Sequence, residues 1–244
     1  MTGSPPVPPA PVASEDPRRV EIADRLHDVS SRIAAATARA GRPAGSVTLI
    51  AVTKTFGLDD VRRLADLGVA DVGESRDQEA AAKAAELPAL RWHFVGRLQR
   101  NKARSVAAYA ACVHSIDRAA LADALGAAAG RVRRTVDVCL QVSLDGDPQR
   151  GGAPVEALGG LADSVARCGG LRLAGLMAVP PLSWDPDRAY AELARAAGDL
   201  RHDHPDAIML SAGMTADFEQ AIVHGATHVR VGTALLGGRP PIVG

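Results

Sequence analysis

The sequence predicts an α/β fold, a single (β/α)8 TIM-type barrel with an extra N-terminal helix. Three observations predict it. Eight short apolar runs alternate with helical patterns between residues 47 and 232, the order expected of parallel strands joined by crossover helices. The length of 244 residues is close to the roughly 250 of a lone barrel. An open doubly wound sheet would want a Gly-rich turn after its first strand, and the residues there are TKTFG (53–57), with no GxGxxG.

The elements follow in order. Residues 16–40 carry Val20, Ile22, Ala23, Leu26, Val29, Ile33 and Ala34 at i, i+3, i+4 spacing, an amphipathic helix that Gly41 and Pro43 end. VTLIAV (47–52) is the first strand, and helix 58–68 closes on a glycine. Strand 70–73, helix 75–86, strand 91–95, helix 100–107 and strand 112–115 continue the alternation. Helix 118–129, strand 134–143, helix 153–168, strand 171–178, helix 185–201, strand 207–211, helix 215–224 and strand 227–232 complete it. The domain is expected over 16–244, after a disordered Pro-rich tail at 1–15.

Composition excludes several classes. Lys plus Arg equals Asp plus Glu, 28 each, whereas a nucleic-acid or anionic-lipid binder is usually basic. Aromatic residues are 3% of the chain, too few for platforms that stack single strands. No segment is long and apolar enough to span a bilayer, and the N-terminus lacks the charged and apolar regions of a signal peptide. Cys112, Cys139 and Cys168 are odd in number, widely spaced and without a CxxC, so no disulfide framework or zinc ribbon is expected. His202 and His204 lack the ligand spacing that would complete a metal site. A cytoplasmic protein without a metal is expected.

Function in a barrel sits at the C-terminal ends of the strands. Lys54 stands there, directly after the first strand, where a partly desolvated amine is prepared for carbonyl chemistry; alone, it reads more readily as a surface loop lysine. Strand 207–211 ends in Ser211-Ala212-Gly213-Met214, and strand 227–232 runs through Arg230 to Gly232 and Thr233. A barrel's usual phosphate site forms after its last two strands. Small residues let backbone N–H groups approach an anion, and Ser211 and Thr233 add hydroxyls. The structural alternative is Gly213 making the turn and Thr215 capping the next helix. A lysine together with a phosphate cup fits a phosphorylated aldehyde, of which pyridoxal 5′-phosphate is the common one.

Several segments make the resemblance specific: AVTKT (51–55), VGESRDQE (72–79), WHFVGRLQRNK (92–102), HSID (114–117), GLMAVPP (175–181), LSAGMTADFEQAI (210–222) and VRVGTALLG (229–237). On these the chain resembles the pyridoxal phosphate homeostasis protein family over essentially all of 47–237. The resemblance implies an alanine-racemase N-terminal-domain-like barrel, of the third pyridoxal phosphate fold type. It implies that Lys54 carries the cofactor as an internal aldimine, with Ser211, Gly232 and Thr233 at the phosphate and Arg230 at the pyridine nitrogen. Gly213 and Ser75 belong to the expected cofactor-binding set. Two positions depart from the family pattern. Ser75 stands where the family usually has Asn, and its shorter side chain is expected to weaken a contact to the ring. Ala212 stands where it usually has Met, which leaves Ser211 and the backbone in place.

Other residues keep two readings. His93, Gln99, Asn101 and Lys102 either line the cofactor mouth, or Asn101 caps the following helix. Glu74 is a partner for a lysine or a helix-start acid favoured by the dipole. Met177 reads as core rather than cofactor contact.

An arginine stays protonated, so beside the ring nitrogen it leaves a weak electron sink. That suits a carrier that buffers or delivers the cofactor to apo-enzymes. The alternative is an amino-acid racemase, whose opposite-face base is a tyrosine from a second domain. This chain ends at Gly244, and its tyrosines, Tyr109 and Tyr190, fall in helical segments. A phosphosugar-binding barrel would leave the strand-end lysine unexplained. A monomer is expected, with no obvious dimer face.

Overall fold

The computed structural model describes residues 16–147 and 149–238; the expected tail at 1–15 lies outside the described residues. The strands are β1 (Thr48–Val52), β2 (Asp71–Glu74), β3 (Arg91–Phe94), β4 (Cys112–Ile116), β5 (Val136–Ser143), β6 (Ala153–Pro154), β7 (Leu171–Met177), β8 (Met209–Ser211) and β9 (His228–Val231). Each of β1 to β4 pairs in parallel with the next. The β4–β5, β5–β7, β7–β8, β8–β9 and β9–β1 pairings then close the ring. That is the expected eight-stranded barrel. The two residues of β6 pair only with the end of β5, outside it.

The helices are α1 (Pro17–Arg39), α2 (Leu58–Asp66), α3 (Asp77–Glu86), α4 (Ala103–Tyr109), α5 (Ala119–Arg131), α6 (Leu158–Arg167), α7 (Pro186–Asp203), α8 (Phe218–Val223) and α9 (Thr233–Leu236). The extra helix α1 starts as its sequence implies. Asp16 accepts from the Arg18 N–H at 3.0 Å, and Pro17 takes the first turn, where its missing donor costs nothing. Its buried stripe, Ile22, Val29, Ile33 and Ala36, packs on Phe218, Ile222, Leu235 and Leu236. Each such aliphatic side chain contributes about 1.5–3 kcal/mol when fully buried. A larger cluster, including Leu121, Leu125, Val138, Leu140, Leu161 and Leu193, cements the opposite wall.

Three expected helices differ. Residues 153–157 form β6 and a 3-10 turn, so α6 begins only at Leu158. Residues 100–102 are 3-10 before α4. Helix α8 begins at Phe218, not 215, because the Asp217 side chain accepts from the Met214 N–H at 2.7 Å and holds 214–217 as a turn. None of the described helices is long and apolar enough to cross a membrane.

The barrel interior departs from the usual layers of Val, Ile and Leu. Asp71, His93, His114, Ser211 and Arg230 are all buried in it. Cys112, Cys139, Met177 and Met209 form a soft cluster beside them, which makes Met177 core, as expected.

Candidate functional site

Lys54 leaves β1 on a tight turn closed by the Phe56 N–H on the Thr53 carbonyl, at 3.1 Å. The residue after it, Thr55, has φ +71°. A β-branched residue in that region is strained by roughly 1–3 kcal/mol, and such strain gathers at functional sites. The turn is gripped from below. Lys83 Nζ donates to the Thr53 carbonyl at 3.0 Å and to Glu74 Oε1 at 2.6 Å, and Thr53 Oγ1 donates to the same oxygen at 2.7 Å. Glu74 is thus a lysine's partner, but the lysine is Lys83. The chain has only three lysines. Lys83 is committed to this buried pair, and Lys102 lies 3.9 Å from Asp77. Lys54 is the one that lines a cavity at the strands' C-terminal ends.

That cavity has a volume of about 400 Å³, within the range of cofactor sites. It brings together Lys54, Ser75, Arg230, Gly232 and Thr233. Val52, Phe56, Val95, Val179 and Met214 add apolar walls, a role that the sequence reading gave to none of them. A concavity of about 470 Å³ lies outside the barrel, lined by Arg32 and Arg39 of α1 and by Glu219 of α8; it shares only Ala216 with the strand-end cavity.

Two loops form the small-residue side. A Cβ on Gly232 would sit 3.1 Å from the Val52 carbonyl, so glycine lets the end of β9 press against the end of β1. Gly213 has φ +90°, and a Cβ there would lie 2.7 Å from Phe218 Cα, so only glycine turns the chain from β8 into α8. Gly213 is buried and outside the cavity lining; its carbonyl accepts from the Arg230 N–H at 3.0 Å. Thr215 lines the cavity and does not cap α8. Its Oγ1 accepts from the Ala234 N–H at 3.4 Å and ties the two loops together.

Ser211 is fully buried beneath this cup and does not line it. Its Oγ accepts from Arg230 Nη1 at 2.7 Å, and Arg230 Nη2 donates to the Ala178 carbonyl at 3.0 Å. The guanidinium is therefore fixed in two directions. Burial pulls its pKa down from the ordinary arginine value. His93 is also interior, not at the mouth. Gln99 and Asn101 are exposed on the 3-10 turn, outside the cavity lining, and neither side chain caps a helix. Lys102 likewise stands apart from the cavity. His93, Cys112 and His114 present ligand-type atoms within 4.8 Å of one another, but all four ring nitrogens already have hydrogen-bond partners.

The donor set suits a phosphorylated aromatic aldehyde. It offers one amine for the carbonyl, one immobilised cation, apolar walls for a flat ring, and small residues with a hydroxyl for an anion. Neither tyrosine lines the cavity. Tyr190 is buried in α7 and its hydroxyl is pushed up in pKa by that burial.

Residues 26–240 match the family model described as alanine racemase, N-terminal domain. The pyridoxal phosphate homeostasis protein of Mycobacterium leprae is 45% identical over 90% of this chain and 93% of its own. PipY of Synechococcus elongatus PCC7942, solved with PLP bound, superposes with a TM-score of 0.78 at 35% identity, covering 88% of this chain and all of that one. A protein from Bifidobacterium adolescentis described as unknown superposes at 0.85 with 33% identity, over 91% of this chain and 96% of that one.

Proposed function

This chain belongs to the pyridoxal phosphate homeostasis protein family, and we propose that it binds pyridoxal 5′-phosphate in the cavity at Lys54 and holds it for buffering or delivery in the cytoplasm. The observation that carries the reading is the meeting of Lys54, Arg230, Gly232 and Thr233 around one cavity of cofactor size. When bound, the cofactor would supply an aldehyde that a lysine amine takes up reversibly.

The chain's own residues do the rest. The strained turn at Thr55 and the Glu74–Lys83 pair fix the backbone on either side of Lys54. Lys83 is held by two acceptors and does not compete for the carbonyl. Gly232, Thr233 and Thr215 take the phosphate end. Phe56, Val95, Val179 and Met214 exclude water from the ring. Arg230 can only donate, so it withholds a proton from any ring nitrogen it faces.

We hold that the protein does not turn over amino acids. Racemisation needs proton removal on one face and return on the other. Besides Lys54, no described lining residue of the cavity is a carboxylate, histidine, cysteine or tyrosine. The test incubates loaded protein with L-alanine in deuterium oxide, and separately with an apo-enzyme that needs the cofactor. Cofactor transfer without α-proton exchange is the expected result. Sustained D-alanine formation at about 1 per second or faster would establish the racemase instead.

A further inference from the structure

Five buried polar groups form a continuous line through the barrel. Asp71 opens β2 at the N-terminal floor, and Arg230 reaches the cavity at the other end. Between them, Asp71 Oδ1 lies 2.8 Å from His93 Nε2, and His93 Nδ1 lies 2.8 Å from His114 Nε2. His114 Nδ1 lies 2.8 Å from Ser211 Oγ, which accepts from Arg230 Nη1 at 2.7 Å. His93 and His114 are at most 1% exposed, and Ser211 is fully buried.

Counting protons gives this line a direction. Arginine has donors only and an ionised carboxylate acceptors only. With both histidines neutral, one arrangement satisfies every link. Ser211 donates to His114 Nδ1, His114 Nε2–H donates to His93 Nδ1, and His93 Nε2–H donates to Asp71. Arg230 is then the sole donor to Ser211. Add one proton at His93 and the two upper links reverse. His93 Nδ1–H donates to His114, whose proton moves to Nδ1 and points at Ser211. Arg230 must now share the serine oxygen with a second donor, and a positive charge has entered the same line.

We infer that Asp71, His93 and His114 are positioning residues for the cavity, holding Arg230 through Ser211, and that one proton on His93 sets the direction of the line and the firmness of that hold. The inference rests on the cofactor reading only for its effect on binding; the line itself belongs to the empty protein as well.

The groups around His93 favour it as the site of that proton. Asp71 faces it from β2, Cys112 and His114 from β4, and His228 from β9 with ring centroids 6.4 Å apart. Arg91 of β3 lies 3.5 Å from the same Asp71 oxygen, and Cys139 of β5 lies behind Cys112. Burial opposes a charged His93, but the Asp71 carboxylate and the Cys112 sulfur together outweigh it and raise the ring above its ordinary pKa. His114 is held neutral by its burial and by the cations His93 and Arg230 on either side. Access is from the floor, where Arg91 is exposed.

The test follows the histidine ring nitrogens by ¹⁵N NMR from pH 5.5 to 8.5, in protein with and without pyridoxal phosphate, for the native chain, Asp71→Asn and Asp71→Glu. His114 is expected to carry its proton on Nε2 at high pH and on Nδ1 at low pH, switching as His93 titrates. Asp71→Asn should lower the midpoint by about 1 pH unit through loss of the opposing charge, and Asp71→Glu should restore much of it. The cofactor dissociation constant should rise roughly threefold across the same midpoint and move with it in Asp71→Asn. A His114 proton that stays on one nitrogen while His93 titrates overturns the inference. So does a dissociation constant whose profile ignores the Asp71 variants. Protein that fails to bind the cofactor yet shows the switch would sink the proposed function and leave the line standing.

Discussion

Glu74 Oε1 lies 2.6 Å from Lys83 Nζ, with both side chains buried directly behind the turn that presents Lys54. Removing one member of a buried pair strands the other charge, at about 3–5 kcal/mol. Lys83→Met is therefore expected to lower the unfolding free energy by roughly that amount. The double variant Lys83→Met with Glu74→Gln should recover most of it. Denaturant titration checks this, and a double variant no better than the single would show that the pair acts through something other than charge.

Thr233 lines the cavity while Ser211 lies beneath it, held by Arg230. The two hydroxyls should therefore fail differently. Thr233→Val is expected to weaken pyridoxal phosphate by about 1.5–3 kcal/mol, the worth of a hydrogen bond to a charged group, and to leave pyridoxal almost unchanged. Ser211→Ala should weaken both ligands alike, because it acts through Arg230. Calorimetric titration with the two ligands separates these outcomes. A Ser211 effect confined to the phosphorylated ligand would place that hydroxyl at the phosphate.

Burial depresses His228 to about 4, with His93 adding to the effect and Asp71 opposing it. A histidine depressed in the folded state binds fewer protons there than in the unfolded chain. Its contribution is fully present above the unfolded value near 6.5 and is lost as pH falls toward about 4. The shift corresponds to roughly 3 kcal/mol. Buried His114 adds to the same acid loss. Urea denaturation at pH 7 and pH 4.5 should show the native chain losing stability, and His228→Gln losing clearly less. Equal losses would remove His228 as a cause.

Much of this was legible in the sequence. Apolar alternation gave the eight strands, strand-end positions singled out Lys54, Gly232 and Thr233, and the family resemblance added Ser75 and the role of Arg230; all five line one cavity. A further signal lay in composition. In a chain whose cations are nearly all arginine, only Lys54, Lys83 and Lys102 are lysines, and one of them sits at a strand end. What stayed hidden depends on partners across the barrel. Period-two alternation can point His93, His114 and Ser211 inward, but not tell that they meet in one line. The short Asp217 bridge to Met214 delays α8 and frees Thr215 for the cavity, a side-chain bond that helix periodicity does not register. Phe56 and Met214 looked like ordinary apolar residues, and only the loop geometry makes them walls.

The most direct test of Lys54 as the holding amine is borohydride reduction of the protein loaded with pyridoxal phosphate, followed by peptide mapping. With three lysines in the chain, the outcome is unambiguous. The pyridoxyl mass is expected on the peptide containing Lys54 and absent from Lys54→Ala. A label on Lys83 or Lys102, or one that survives in Lys54→Ala, would contradict the assignment of the site.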